Sequence, residues 1–287
     1  MRFGLLLAVP VLAQLIGCGG QEPPAESLYI GVDEIFEEIR SASTKYHEVA
    51  SIDHSRLAEE AGSTMPPARV YIFSDSKVNT AILRDEPLAG LDLPFRFLAY
   101  ADEGRPAVLY TSAEFIELRH GLTEKNGVQQ YEEVVNGVLG DLTPDKIDAV
   151  DVSLVERGYG VNELHSRYGF DETVARLKKA IMAEGDTIWF GEIDYQAEAA
   201  ALEVDLPRLT LLLFGAPGPG GKAMAEFPRM GLDAFCQKLL VHESEDGRVT
   251  AYFNSMPAFA QIHYAGKALP HHVINFRMSA TLSEAIE

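Results

Sequence analysis

Apolar residues recur at helical spacing at Ile35, Phe36 and Ile39, and again at Val174, Leu177 and Ile181, with charged residues between them facing water. Each series follows a similar start, GVDE at 31–34 or GFDE at 169–172, where Asp33 or Asp171 is expected to cap the helix. β-rich runs come next, EVASID at 48–53 and DTIWFGEID at 186–194, then the short alanine-containing stretches HSRLAEEAG and YQAEAAALE. ARVYIF (68–73) and RLTLLLF (208–214) are almost continuously apolar and predict buried strands. RFLAY or KLLV should then pair with AVLY or VTAYF, the second hairpin turning at Asp246-Gly247. A last helix closes each series, AEFIELRH or PAFAQIHY.

The same order of elements twice means a duplication. At a fixed offset of 141, residues 52–102 align with 193–243 without a gap, and ten positions are identical, among them Pro87, Gly90, Leu91 and Asp92 with Pro228, Gly231, Leu232 and Asp233. In this alignment Cys236 stands opposite Phe95. The expected fold class is α+β: two copies of a two-layer α/β sandwich, β-α-β(4)-α-like, each a mainly antiparallel sheet with helices on one face. The division runs 1–17 signal peptide, 18–27 linker, 28–122 first repeat, 123–159 helical connector, 160–264 second repeat, 265–287 tail. The connector should hold a helix with Val128, Tyr131, Val135 and Val138 on one side, and a further start at Thr143-Pro144-Asp145. The tail follows neither copy, and Ser279 or Thr281 has the look of a helix start.

Composition changes this picture at the N-terminus. FGLLLAVPVLAQLIG after Met1-Arg2 is too short for an ordinary membrane span and reads as a secretion signal. It ends in Leu15-Ile16-Gly17-Cys18, which resembles the bacterial lipobox, so Cys18 is the expected lipidation site and several acyl chains would attach the chain to a membrane. The expected location is the cell envelope; Gly19 after the Cys reads as sorting to the periplasmic face of the outer membrane in a Gram-negative host. With 43 acidic residues against 24 basic and no basic cluster, nucleic acid is excluded as a partner. With Cys18 acylated, Cys236 has no partner for a disulfide and is expected to be a small buried hydrophobe.

GFDETVARLKKAI, EID, PRLTLLLFGAP, GLDAFCQKLLVHES and GRVTAYF in the second copy, with SIDH, RVYIFSDS, PLAGLDLPFRFLAYADE and RHGL in the first, resemble the bacterial and archaeal domain of unknown function 302. The resemblance implies a small domain of helix-packed sheet, often paired, and no established activity. The copies depart from it differently: the first has His54, Arg119 and His120 but reads FSDS where the second has FGAP, and the second has His263 but Tyr195 in place of His54.

Candidate ligand-binding or acid/base groups are therefore His54, Arg119, His120 and His263, with Gly215, Ala216 and Pro217 as a candidate loop; no catalytic set can be assigned. APGPGGKA (216–223) approaches a phosphate-binding loop, but Pro217 and Pro219 remove donors and Ala223 stands where a metal-binding hydroxyl is needed, so a strand-to-helix turn is the better reading. Asp53-His54-Ser55 are too close in sequence to relay a proton as a triad. The eight histidines show no metal-ligand spacing, and no metal or cofactor is predicted; His271-His272 should be solvated. Asp92 and Asp233 read as carboxylates capping a turn. Three function classes stay open: a non-enzymatic envelope lipoprotein binding a small ligand or an envelope protein through an intramolecular pseudo-dimer, an enzyme with a composite pocket of His54, His120 and His263, and a purely structural element. The first fits the anchor and the incomplete copies best.

Overall fold

The computed structural model describes residues 26–266 and 269–287; the signal segment and Cys18 lie outside the described residues. The first repeat runs α1 (Glu26–Ala42), β1 (His47–Asp53), α2 (His54–Glu60), β2 (Ala68–Ser74), α3 (Ser76–Leu83), a 3-10 turn (Pro87–Leu91), β3 (Phe95–Asp102), β4 (Arg105–Tyr110), α4 (Ala113–His120), α5 (Lys125–Leu139) and β5 (Ile147–Ala149). The second runs β6 (Val161–His165), α6 (Phe170–Ala183), β7 (Ile188–Asp194), α7 (Tyr195–Ala200), β8 (Leu209–Gly215), α8 (Pro217–Met224), a 3-10 turn (Pro228–Leu232), β9 (Gln237–Glu243), β10 (Val249–Asn254), α9 (Met256–Tyr264) and α10 (Leu269–Ile286). The sheets are ordered β1-β2-β3-β4-β5 and β6-β10-β9-β8-β7, antiparallel except for β5 beside β4. The α+β class with two mainly antiparallel sheets is thus the observed one.

Several boundaries follow packing rather than sequence spacing. Glu26 and Ser27, assigned to the linker, open α1, and Asp33 lies inside that helix, where it accepts hydrogen bonds from Arg56 and Arg69 instead of capping. Asp171 is in the first turn of α6, one position past the Gly169 cap and its neighbour Phe170. The side-chain caps belong to Asp53 and Asp194, which accept from the backbone N–H of Arg56 and Ala197 at the starts of α2 and α7. The Thr143-Pro144-Asp145 start yields only one 3-10 turn. The connector helix α5 buries Val128, Tyr131, Val135 and Val138 in the first repeat, packing on α1, α3 and α4. The tail forms α10, which packs on α6 and α9 in the second repeat, so Ser279 and Thr281 lie within a helix rather than at its start. His271 is fully buried against the Phe227 ring, contrary to the solvated reading.

Strands β2 and β8 are apolar on both sides for a reason the runs themselves do not give. One face of each sheet carries its own helices, α1 and α5 or α6 and α10, and the other faces the opposite repeat. The exchange is reciprocal: the turn Pro87–Leu91 packs on β8, β9 and β10, while Pro228–Leu232 packs on β2, β3 and β4; α2 meets α8 and α3 meets α7.

The pairing also corrects the ungapped alignment. Phe73 faces Phe95 across β2 and β3, and Phe214 faces Gln237 across β8 and β9. Phe95 therefore matches Gln237, not Cys236, and Arg96 matches Lys238. Two residues separate Asp92 from Phe95, but three separate Asp233 from Gln237. In a structure of period two, one extra residue sends the following side chains to the other face.

Leu282 of α10 is 1% exposed in the core of the second repeat. Leu282→Ala is expected to cost about 2–4 kcal/mol in urea unfolding of the full chain, which a loosely attached tail would not.

Candidate functional site

The candidate residues divide between two places in the inter-repeat contact. His54 opens α2 with its ring buried; its Nε2 lies 3.0 Å from the carbonyl oxygen of Gly231 in the other repeat. A carbonyl can only accept, so Nε2 carries the proton. Tyr195 opens α7 and its hydroxyl donates to the Gly90 carbonyl at 3.1 Å. The residue at which the copies disagree thus makes the same crossed bond with two side chains. The glycines of the repeated phrase follow from this: a Cβ on Gly231 would stand 2.9 Å from His54 Cδ2, and one on Gly90 3.1 Å from Tyr195 Cε2. His54 also lines a small cavity with Leu57, Phe190, Ala216, Pro217 and Met224, so the candidate loop does meet this histidine. Ser55, by contrast, donates to Asp53 at 2.8 Å, leaving no Asp-His-Ser relay.

Arg119, His120 and His263 belong to a second group. Asp92 accepts from Arg119 Nη1 at 2.6 Å, from His120 Nε2 at 2.8 Å and from Lys238 Nζ at 3.1 Å. Asp233 accepts from Lys238 Nζ at 3.0 Å and Arg96 Nη2 at 3.1 Å, with His263 Nε2 at 3.7 Å. Arg119 also donates to Asn254 and to the Tyr159 carbonyl. Each repeat contributes an Asp, a basic strand residue and a histidine from the end of α4 or α9, and Lys238 joins both carboxylates across the pseudo-twofold. Neither Asp caps a turn through its side chain; this expectation is replaced by an ion cluster. The three cations and both carboxylates are at most 2% exposed.

Burial would raise both carboxyls, but Arg119 and Lys238 at Asp92, and Lys238 and Arg96 at Asp233, overcome it and hold them well below the usual range. Burial lowers Lys238, with Arg96 adding to the effect, whereas the carboxylates outweigh burial at Arg96. Burial lowers His120 despite Asp92, and lowers His54 to about 4 despite the Gly231 bond. Cys236 is fully buried and its thiol is pushed up to about 12 by burial, fitting the hydrophobe reading. Among the described residues no group of three or more His, Cys, Asp or Glu is placed to hold a metal.

A third region was not foreseen. Between α10 and the sheet of the second repeat lies a cleft of about 60 Å³, lined by Ile181, Phe214, Ala216, Ile274, Met278 and Leu282, with Thr187 and Gln237 among them. Arg277 stands at its mouth, bonded to Asp186 at 2.9 Å and to Glu184. Of the candidate residues only Ala216 reaches this cleft. The loop APGPGGKA forms the start of α8 with Pro217 in the first turn; a Cβ on Gly221 would stand 2.5 Å from Ala58 Cβ, so this glycine serves the α2–α8 contact, while one on Gly220 would stand 3.1 Å from Phe235 Cδ1.

The model of a domain of unknown function, DUF302, matches residues 25–142 and again 162–286. The chain belongs to the DUF302 family. Both matches include the helix that follows α4 or α9, so α5 and α10 are parts of the repeats. The curated relatives include proteins named fluoride-specific ion channel FluC 1 in Brucella suis and FluC 2 in Brucella melitensis, each 30% identical over 130 residues, 42% of this chain. The chain spans about half the length of these relatives, 50% and 47%. Among the described residues no helix is long and apolar enough to cross a membrane. A solved DUF302 protein from Bacillus stearothermophilus is similar over 44% of this chain and 98% of its own, with 17% identity and a TM-score of 0.39.

Arg119→Leu leaves Asp92 short of a partner and is expected to cost about 3–5 kcal/mol in urea unfolding, against under about 0.5 kcal/mol for the exposed Arg40→Ala. His54 takes up a proton in the unfolded chain near pH 6.5 but in the folded chain only near 4. Its contribution is complete above pH 6.5 and declines as pH falls toward 4, by roughly 3 kcal/mol. Urea midpoints measured from pH 7.5 to 4.5 should fall, and His54→Gln should flatten that fall.

Proposed function

We propose that this DUF302 chain is an envelope-anchored, non-enzymatic binding protein, in which the interlocked repeats form a rigid frame and the cleft under α10 takes a small ligand. The observation that carries the reading is the cleft itself, which has apolar walls with a few polar groups set among them. Binding is favoured over catalysis because the histidines an enzyme would need have been spent on the inter-repeat contact. His120 is bonded to Asp92, His54 to Gly231, and none of the three lines the cleft. The ion-channel activity named for the Brucella relatives is not carried over, since the similarity covers about half of their length.

Anchoring through Cys18 rests on the lipobox resemblance. The envelope location follows from it, with the membrane as the first partner and the ligand as the second. The full chain, purified from the membranes of an expressing bacterium, should give an N-terminal peptide carrying acyl mass on Cys18, and Cys18→Ser should move it to the soluble fraction. Native mass spectrometry of the same sample should show a co-purifying small molecule. An unmodified Cys18 in the membrane fraction would sink the anchor, and a bare chain mass from every growth condition would sink the binding reading.

A further inference from the structure

The cleft stands where the first repeat has a stack of rings. In that repeat Tyr46 stacks on Phe73 with centroids 4.9 Å apart, Phe73 on Phe95 at 5.1 Å, and Phe95 on Tyr131 at 4.5 Å. The matching positions in the second repeat follow from the fold. Tyr46 precedes β1 as Thr187 precedes β7; Phe73 and Phe95 face each other as Phe214 and Gln237 do; Tyr131 lies as far past the cap Ser112 as Ile274 lies past the cap Ser255. All four replacements, Thr187, Phe214, Gln237 and Ile274, line the cleft. Three of four rings are gone, one is kept, and the space has not closed.

What remains selects the shape and chemistry of an occupant. Phe214 keeps an apolar ring surface at 5% exposure, on which a flat ring can stack. Gln237 is 8% exposed, and its side-chain amide makes no hydrogen bond to any described residue. Water reaches this carboxamide, which offers both a donor and an acceptor to the cleft. The cation at the mouth, Arg277, is held by Glu184 and Asp186, so the cleft presents no unpaired positive charge to an anionic ligand.

We infer that the cleft of the second repeat binds a neutral, planar ring compound with an amide-like donor–acceptor edge, stacked on Phe214 and hydrogen-bonded to Gln237 in the place of the missing rings. This rests on the binding reading above and specifies its ligand class. It also gives the duplication a division of labour: one copy filled with its own rings, the other left open for a foreign one.

Benzamide is the probe, with cyclohexanecarboxamide as the non-planar control and benzoate as the charged one. Binding to the full chain can be read by ligand-observed NMR and by the fluorescence of Trp189, the only tryptophan, which faces Phe214 across β7 and β8. Benzamide should bind at least fivefold more tightly than either control. Gln237→Leu should weaken it about three- to tenfold, the loss of one hydrogen bond. Thr187→Tyr combined with Gln237→Phe, which restores two first-repeat rings, should abolish binding while far-UV circular dichroism and the urea midpoint stay at wild-type values. If that pair fails to fold, Gln237→Leu alone decides.

No benzamide binding at its solubility limit, equal binding of cyclohexanecarboxamide, or an unchanged Gln237→Leu variant would overturn the ring-amide assignment. The broader reading fails separately: a co-purifying molecule that stays bound in the folded ring-restored variant is not in this cleft.

Discussion

Five buried charges shared between the repeats, Asp92, Asp233, Arg96, Arg119 and Lys238, are the constraint on which the rest of the molecule depends. Taking such groups out of water costs several kcal/mol each, and only close opposite charges offset that cost. Two of the pairs cross between the halves: Arg96 finds Asp233, and Lys238, beside Asp233 in its own repeat, also finds Asp92. Separating the repeats would strip these partners or expose the surrounding apolar faces. The cluster therefore ties the two repeats to one another through charges that neither could bury alone at so small a cost.

The repeated phrase PLAGLD/PRMGLD belongs to this arrangement. Its Pro opens a 3-10 turn that lies on the other repeat's sheet, its Gly leaves room for the ring of His54 or Tyr195, and its Asp enters the cluster. Because the contact is crossed, each half is held to its form by the surface of the other. The helix-covered faces have no such obligation, and there the copies differ: a stack of rings under α5 in one, a cleft under α10 in the other.

Much of the fold was legible in the sequence. Period and turn chemistry placed the paired strands and the helices at 113–120 and 257–264, and self-similarity revealed two copies. The site was legible only in part. His54, Arg119, His120 and His263 were marked as important, yet as pocket groups rather than interface groups, because a buried histidine bonded across an interface looks the same in sequence as one facing a ligand. Arg96 within FRFLAY and Lys238 within CQKLLV carried a usable signal, since a cation inside a buried strand requires a partner.

By itself the sequence determined the duplication, the α+β class and the acidic surface, because these depend on local period, repeated letters and charge count. Only the tertiary structure decided which face each strand residue takes after the extra residue before β9, which carboxylate pairs with which cation, and that the tail completes the second repeat. Register and long-range pairing depend on surfaces meeting far apart in the chain. A single inserted residue that ten identities conceal turned Gln237 toward an open cleft and Lys238 toward the ions.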